Sequence, residues 1–467
     1  MTGPLPRTPV LDANEGLTKL ATYPFEILSF VGPDGYPVSV VVEATIEPEA
    51  GVVSFAAPAA LTLPADADVS LTGSHIRPQP GYGYDERRHV TVWGRAATDG
   101  GRVTFHAARA WGWDESEVSF FEYSERSLRQ SRRYFDALSA ERGTPVKPRL
   151  SFGWLALRTT RLPFLTATLV PVILGIAIAA RQGAFDLVAA ALTVVGAAFV
   201  QLGLNVANDV FDTVQGADDA NVTPTQFSGG SRVIQYGLVS VRQMAGLATL
   251  FYVAAGLIGV LLLALRGSPA LLAIGVIGFV VSIGYTAPPL KLVYRGLGEI
   301  AVAIGFGPLM LLGAYVVQTR GALSWEPFVA SLPIALLVAL ILYVNEIPDR
   351  RGDARAGKRT LPVRLPKATV VNGYRAAAIA SYTILIAGVG LGVLPIPALL
   401  ALLSVPLALR VSRGLEPNYD NPYGLMAVMG VNVKLHLYAG LLLLAGYLVV
   451  LVSSALAPNL NLFIGTH

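Results

Sequence analysis

Two regimes of hydrophobic patterning divide the chain. Over residues 23–105, short runs of alternating apolar and polar residues (25–31, 37–43, 52–55, 69–72, 89–93 and 102–105) are separated by Gly, Pro or Asp, as in Gly32-Pro-Asp-Gly35. A period of two between turn residues predicts antiparallel strands, and six of them predict a small β-barrel or sandwich. A helical stretch over 124–142 closes this region. It carries Arg126, Arg129, Arg132 and Arg133 on its polar side, facing either solvent or anionic lipid headgroups. Beyond residue 160 the pattern changes to apolar runs near the 20 residues needed to cross a bilayer. They cover 162–180, 187–207, 241–265, 270–285, 299–317, 327–343, 373–393, 396–409 and 433–450, the eighth being short. The expectation is a soluble β domain over 1–150, followed by an all-α polytopic membrane domain of nine transmembrane helices over 151–467.

Composition agrees. Apolar residues make up 53% of the 467 and charged residues 14%, against roughly 25% charged in an average soluble protein. This excludes a disordered chain, and 31 prolines without a period exclude collagen. The absence of cysteine excludes disulfides, Cys-ligated zinc, iron–sulfur clusters and thiol nucleophiles. The first sixteen residues hold no apolar core, so no signal peptide is expected and the amino terminus is placed in the cytoplasm.

The net charge of +4 is unevenly distributed: residues 1–161 carry 17 Lys/Arg and 19 Asp/Glu, and residues 162–467 carry 18 and 12. With nine spans, fifteen basic residues fall in inner loops and only Arg181, Arg266 and Arg320 in outer ones, a strong positive-inside bias. This predicts a protein of the cytoplasmic membrane with its head and site in the cytoplasm and its carboxyl terminus on the opposite side. Ten of the twelve carboxylates share the inner side: Asp209, Asp212, Asp218, Asp219, Glu299, Glu346, Asp349, Asp353, Glu416 and Asp420. Acids beside hydrocarbon usually face a wet functional cavity. No P-loop, HExxH or GxSxG motif occurs, and nothing indicates a nucleic-acid partner.

Two acidic clusters carry the chemistry. Asn205, Asn208, Asp209 and Asp212 are spaced three or four apart at the end of the second span, so they share a helix face. Asn345, Asp349 and Asp353 form an equivalent stripe at the end of the sixth, where Pro348 is expected to kink or end the helix. Facing carboxylate stripes repel unless cations lie between them, and hard oxygen ligands of this kind suit Mg²⁺ bound together with substrate phosphates. Arg232, Lys291, Lys358 and Arg359 stand beside the clusters, completing what a diphosphate needs.

These residues resemble the paired aspartate motifs of the UbiA-type intramembrane prenyltransferases. The resemblance extends to the 1,4-dihydroxy-2-naphthoate prenyltransferase branch through Asn205-x-x-Asn-Asp-x-x-Asp-x-x-x-Gly216-x-Asp218, Gly230-Ser-Arg-Val-Ile-Gln235, Tyr285-Thr-Ala-Pro-Pro289, Tyr294-Arg-Gly-Leu-Gly-Glu299 and Ala356-Gly-Lys-Arg-Thr-Leu361. It covers about residues 155–455. That branch typically reads Asn-Asn-x-Arg-Asp before its second aspartate pair, where this chain has Asn345-Glu-Ile-Pro-Asp349, which leaves the acceptor open. The resemblance implies an enzyme that moves an isoprenyl group from a prenyl diphosphate to an aromatic acceptor in quinone synthesis. Asp209, Asp212, Asp349 and Asp353 would hold Mg²⁺. Asn205, Asn208, Arg232, Lys291, Asn345, Lys358 and Arg359 would hold the diphosphate. Tyr285 would orient the acceptor or stabilise the allylic cation, and Asp218 would take the acceptor's proton. A non-aromatic lipid acceptor, or a cation- or proton-coupled transporter, are the alternatives.

The head resembles the split-barrel flavoproteins of the pyridoxamine-phosphate-oxidase type over residues 18–140. That likeness implies an FMN site at Ser74, His75, Arg77, Arg87 and Arg88, or else a cofactor-free module for docking or homodimerisation.

Overall fold

The computed structural model describes residues 10–58, 63, 67–79, 83–118, 123, 133–148, 150–221 and 224–456. By internal contacts the chain divides into two compact units, Met1–Arg126 and Ser127–His467.

The first unit is a β half-barrel. Eight strands form one antiparallel sheet: β1 (Val10–Leu11), β2 (Glu26–Val31), β3 (Pro37–Val42), β4 (Ala44–Glu47), β5 (Val52–Ala56), β6 (Ala67–Gln79), β7 (Gly83–Asp99) and β8 (Arg102–Asp114). Their order is β3-β2-β6-β7-β8-β5-β4, with β1 paired to β8. Inward positions of successive strands supply the core, including Leu28, Val53, Leu71, Val92 and Phe105, all fully buried. A helix, Ala13–Leu20, capped by the Asp12 carboxylate accepting from Glu15 N–H at 2.7 Å, adds Leu17 and Leu20. Gly94 sits at a register break between β7 and β8, where a Cβ would come 1.9 Å from the His106 carbonyl oxygen. Two strands lie beyond the expected six: β1, whose two residues are too short to show an alternation, and the four-residue β4. The segment 74–88, which holds the residues of the implied FMN site, belongs largely to the long β6–β7 hairpin. Its backbone ladder persists where the side chains cease to alternate.

In the second unit, eight helices among the described residues are long and apolar enough to cross a membrane. They are Leu162–Arg181, Leu187–Val214, Val241–Arg266, Gly298–Thr319, Trp325–Arg355, Lys367–Gly390, Ile396–Asn418 and Leu425–Ser453. Between the third and the fifth of the expected spans lies a shorter apolar helix, Pro269–Gly284. Its 16 residues reach about 24 Å at 1.5 Å per residue, short of a hydrocarbon core of about 30 Å. The eighth expected span, conversely, is not short, because a 3₁₀ segment, Ile396–Ser404, leads into Val405–Asn418.

The sixth expected span forms the axis of the bundle and packs on the fifth, seventh and ninth. Pro348 does not end it: the helix continues through Pro333 and Pro348 to Arg355. Each proline removes one backbone hydrogen bond, and both are buried against neighbouring helices that hold the flanking turns in place. The continuous helix keeps Asn345, Asp349 and Asp353 on one face.

At the opposite helix ends a second polar network closes on itself. Arg181 pairs with Glu326, which also accepts from Gln182 Nε2 at 2.8 Å; Tyr315 donates to Gln182 Oε1 at 2.6 Å. Arg266 pairs with Asp186 at 2.7 Å, and Gln318 accepts from the Asp186 backbone at 2.7 Å. Of the arginines expected on the 124–142 helix, Arg126, Arg129 and Arg132 lie outside the described residues. Arg133 begins a helix over 133–142.

Candidate active site

The two aspartate stripes meet at one end of the bundle, around a polar chamber of about 170 Å³. The second span contributes Asn205, Asn208 and Asp212 to its wall, and the sixth contributes Asn345, Glu346, Asp349 and Asp353. Arg161, Asp218, Asn221, Tyr285 and Lys358 line it as well.

Asp212 is the most heavily bonded carboxylate. It accepts from Asn208 Nδ2 at 3.2 Å, Tyr294 Oη at 2.8 Å and Lys358 Nζ at 3.1 Å. Lys358 Nζ also lies 3.9 Å from Asp353, so one ammonium spans the stripes of the second and sixth spans. Burial alone would lower the Lys358 pKa, but Asp212 and Asp353 outweigh it and raise the group well above its ordinary value. Asp349 accepts from Asn221 Nδ2 and from the Gly229 backbone N–H, both at 2.8 Å. Asp209 is 2% exposed, pairs with Arg161, and accepts from the Ser231 backbone at 3.2 Å. Asn208 accepts from Thr286 Oγ1 at 2.7 Å, and Asn205 donates to the Thr160 carbonyl at 2.9 Å.

Of the expected basic residues, only Lys358 reaches the chamber. Arg232 is buried but donates to the backbone carbonyls of Asp218 and Asn221, strapping the loop after the second span. Lys291 lies 5.6 Å from the centre of the Tyr294 ring. Arg359 has an exposed side chain and donates its backbone N–H to the Tyr294 carbonyl at 3.1 Å. Burial, followed by the charges of Asp212 and Asp209, raises the Asp218 pKa well above the usual carboxylate range. One of its oxygens has no hydrogen-bond partner.

Sequence reading missed Arg161, Asn221, Thr286 and Tyr294, which reach the stripes only through tertiary packing. Arg161 adopts a left-handed conformation with φ of +52° that ends the helix Phe152–Thr160. Arg232 and Lys291 also have positive φ, at +64° and +44°. Non-glycine residues held in this region collect at functional sites, because only a surrounding structure that over-determines them keeps them there.

Whether Mg²⁺ suits this donor set is tested by Lys358. A single cationic group already spans Asp212 and Asp353, showing that the two stripes lie within reach of one charge. Among the described residues no three acidic or imidazole groups converge as a closed metal cage. That fits a cation held by one or two carboxylates and completed by substrate oxygens and water.

The polar chamber adjoins an apolar one of about 470 Å³, with Gln201, Leu204, Tyr285, Val302 and Phe306 lining both. Gly256, Gly259, Gly275, Gly278 and Gly305 line the apolar chamber, and a Cβ at any of them would meet open space.

The head residues are placed differently. Ser74, His75 and Arg77 lie on β6, and Arg87 and Arg88 on β7. Glu86 faces His75 at 3.4 Å and Arg77 at 2.9 Å, Glu115 pairs with Arg87 at 2.5 Å, and Arg88 lies over the Tyr23 ring. Carboxylates already pair with His75, Arg77 and Arg87, and Arg88 lies against an aromatic ring. Nothing in this arrangement supports an FMN site, and no flavin step follows from it.

Many apolar helices with a carboxylate-lined chamber at one end, open to an apolar chamber within the bundle, define a multi-pass membrane protein with an intramembrane site. Residues 168–429, more than half of the chain, match the UbiA prenyltransferase family. The chain belongs to that family and is a prenyltransferase. It is similar to the 2-carboxy-1,4-naphthoquinone phytyltransferase of Synechocystis, at 28% identity over 297 residues covering 63% of this chain and 92% of that protein. It also resembles the 1,4-dihydroxy-2-naphthoate octaprenyltransferase of Bacillus subtilis, at 27% identity over 66% of this chain and 96% of that one. A solved structure of a UbiA homolog from Archaeoglobus fulgidus bound to GPP and Mg²⁺ aligns with a TM-score of 0.44 and 15% identity, over 62% of this chain and 99% of that one.

Proposed function

We propose that the chain transfers an isoprenyl group from a prenyl diphosphate to an electron-rich hydroxylated aromatic ring of the dihydroxynaphthoate kind, inside the membrane and in service of quinone synthesis. The observation that carries this reading is the placement of two carboxylate stripes, bridged by Lys358, at the point where a polar chamber meets an apolar one. The named activities of the relatives support it.

Asp212, Asp349 and Asp353 would hold one or two Mg²⁺ ions against the diphosphate, no more than two carboxylates to each, and the metal would neutralise charge that builds on the leaving oxygens. Asp209, locked to Arg161, fixes that guanidinium in the chamber wall. Arg161 and Lys358 stabilise the departing diphosphate as preorganised donors. The apolar chamber takes the isoprenyl tail and shields the allylic cation from water. Tyr285, on the wall common to both chambers, presents its ring to that cation. The bias of basic residues supports a site on the cytoplasmic side, and Pro269–Gly284 would serve as a ninth crossing with the bilayer thinned around it.

The test uses the purified full chain with a prenyl diphosphate, Mg²⁺, and dihydroxynaphthoate or hydroxybenzoate. Mass spectrometry of the extract should show a prenylated aromatic product, and EDTA should abolish it. Product persisting in EDTA would sink the metal assignment, and a product formed only with non-aromatic alcohols would move the acceptor to another class.

A further inference from the structure

The chamber wall has an order along the sixth span. Asp353 and Asp349 come last, Glu346 and Asn345 lie about one turn before Asp349, and Leu342, Ile341 and Val338 continue the wall inward. One turn rises about 5.4 Å. A diphosphate held at Asp349 and Asp353 therefore puts the carbon bearing its leaving oxygen near the level of Glu346. Tyr285, which stands where the two chambers adjoin, senses the Glu346 charge.

Glu346 is 4% exposed, and neither of its carboxyl oxygens accepts a hydrogen bond from a described residue. Its side-chain hydrogen-bond partner is the Glu299 carboxyl, and Tyr285, Tyr343, Asp353 and Lys358 are the other ionisable groups nearby. Lys358 is already engaged by Asp212 and Asp353. Two carboxyl groups that face each other in a buried site share a proton and keep a single charge between them, so such a pair with one member on a chamber wall marks a place where a proton can be taken up. Asp218 is a weaker candidate: its charged neighbours are Asp209, Asp212, Arg232 and Arg161, which associate it with the diphosphate end.

We propose that Glu346 is the catalytic residue that accepts the hydroxyl proton of the aromatic acceptor. This rests on the prenyl-transfer reading above and adds the residue that activates the nucleophile. The acceptor O–H gives its proton to a Glu346 Oε, and the phenolate so formed enriches its ring carbon. The electron pair of that carbon forms the bond to the allylic carbon, while the allylic carbon–oxygen bond breaks and both its electrons leave on the diphosphate. The hydrogen at the new ring bond then moves to the phenolate oxygen, restoring the aromatic hydroxyl. The proton on Glu346 departs with the diphosphate.

The experiment compares the full-length wild type with Glu346→Gln and Glu346→Asp. Two acceptors are used: a simple hydroxylated ring, and a fluorinated analogue whose hydroxyl is already ionised at the assay pH. With the simple ring, Glu346→Gln should lower kcat by about 100-fold, the range of a lost general base, with KM for the prenyl diphosphate changed by no more than about twofold. Glu346→Asp should fall between. With the ionised analogue, Glu346→Gln should recover to within about fivefold of wild type, because no proton remains to be taken. Equal losses with both acceptors would assign Glu346 a structural role and overturn the proposal, as would a Glu346→Gln enzyme with the wild-type kcat. If the wild type prenylates neither ring, the transfer reading itself falls, whatever the variants do.

Discussion

The bundle buries charge at both ends but treats it differently. At the end bearing Arg181 and Arg266, each guanidinium pairs with one carboxylate, Glu326 or Asp186, and neutral Gln182, Gln318 and Tyr315 complete the network. At the other end Asp209, Asp212, Asp218, Glu299, Glu346, Asp349 and Asp353 outnumber Arg161, Arg232 and Lys358, around an open chamber. Burying an ion is costly on either side of a membrane protein. A balanced end therefore holds helices together, whereas an end with surplus carboxylates carries uncompensated negative charge that an arriving cation would offset.

Substitutions should separate the two ends. The largest effect is expected for Asp349→Asn and Asp212→Asn, each lowering product formation about a thousandfold under saturating Mg²⁺ while the protein stays folded, by mass spectrometry of the product and a thermal melt. Retained activity in either would erase the distinction drawn here. Arg181→Gln at the balanced end should do the reverse. Leaving Glu326 without its partner should destabilise the fold by about 3 kcal/mol, with kcat per folded molecule unchanged. Gly278→Leu should put a side chain into the apolar chamber, where nothing now lies within 4 Å of a Cβ. Turnover of long-chain donors relative to short ones should drop about tenfold, read by competition between two prenyl diphosphates.

The smallest expected effect concerns pH. Because the folded protein holds the Asp218 proton more tightly than the unfolded chain does, folding is favoured at low pH and loses this advantage as pH rises through the raised folded value. With EDTA present, Asp218→Asn should melt a few degrees above wild type at about pH 8 and approach it towards about pH 3, below the ordinary aspartate value, where folded and unfolded chains both hold the proton. A gap independent of pH would mean that its surroundings compensate the Asp218 charge.

The stripes were legible because a helix converts a spacing of three or four into a shared face, and a single sequence carries that spacing. Their partners were not. Arg161 reaches Asp209 across 48 positions and Lys358 reaches Asp212 across 146, contacts set by how helices pack. Glu346 was visible as an inner-side carboxylate, but only its burial on the chamber wall against Glu299 distinguishes it from Glu416 or Asp420. In the head, alternation marked the core strands and failed along 74–88, where the ladder continues under charged side chains paired with Glu86 and Glu115. The fourth span, read as 270–285, matches the helix Pro269–Gly284 to within one residue at each end.

One consequence follows from Lys358, whose ammonium joins Asp212 to Asp353. It is a counterion resident in the protein, tethered by its own side chain. Asp212 and Asp353 would hold a metal that came with a diphosphate, and Lys358, which cannot leave, would then be free to turn towards phosphate oxygen. Until then the tethered ammonium offsets the repulsion between the two helices that carry the stripes.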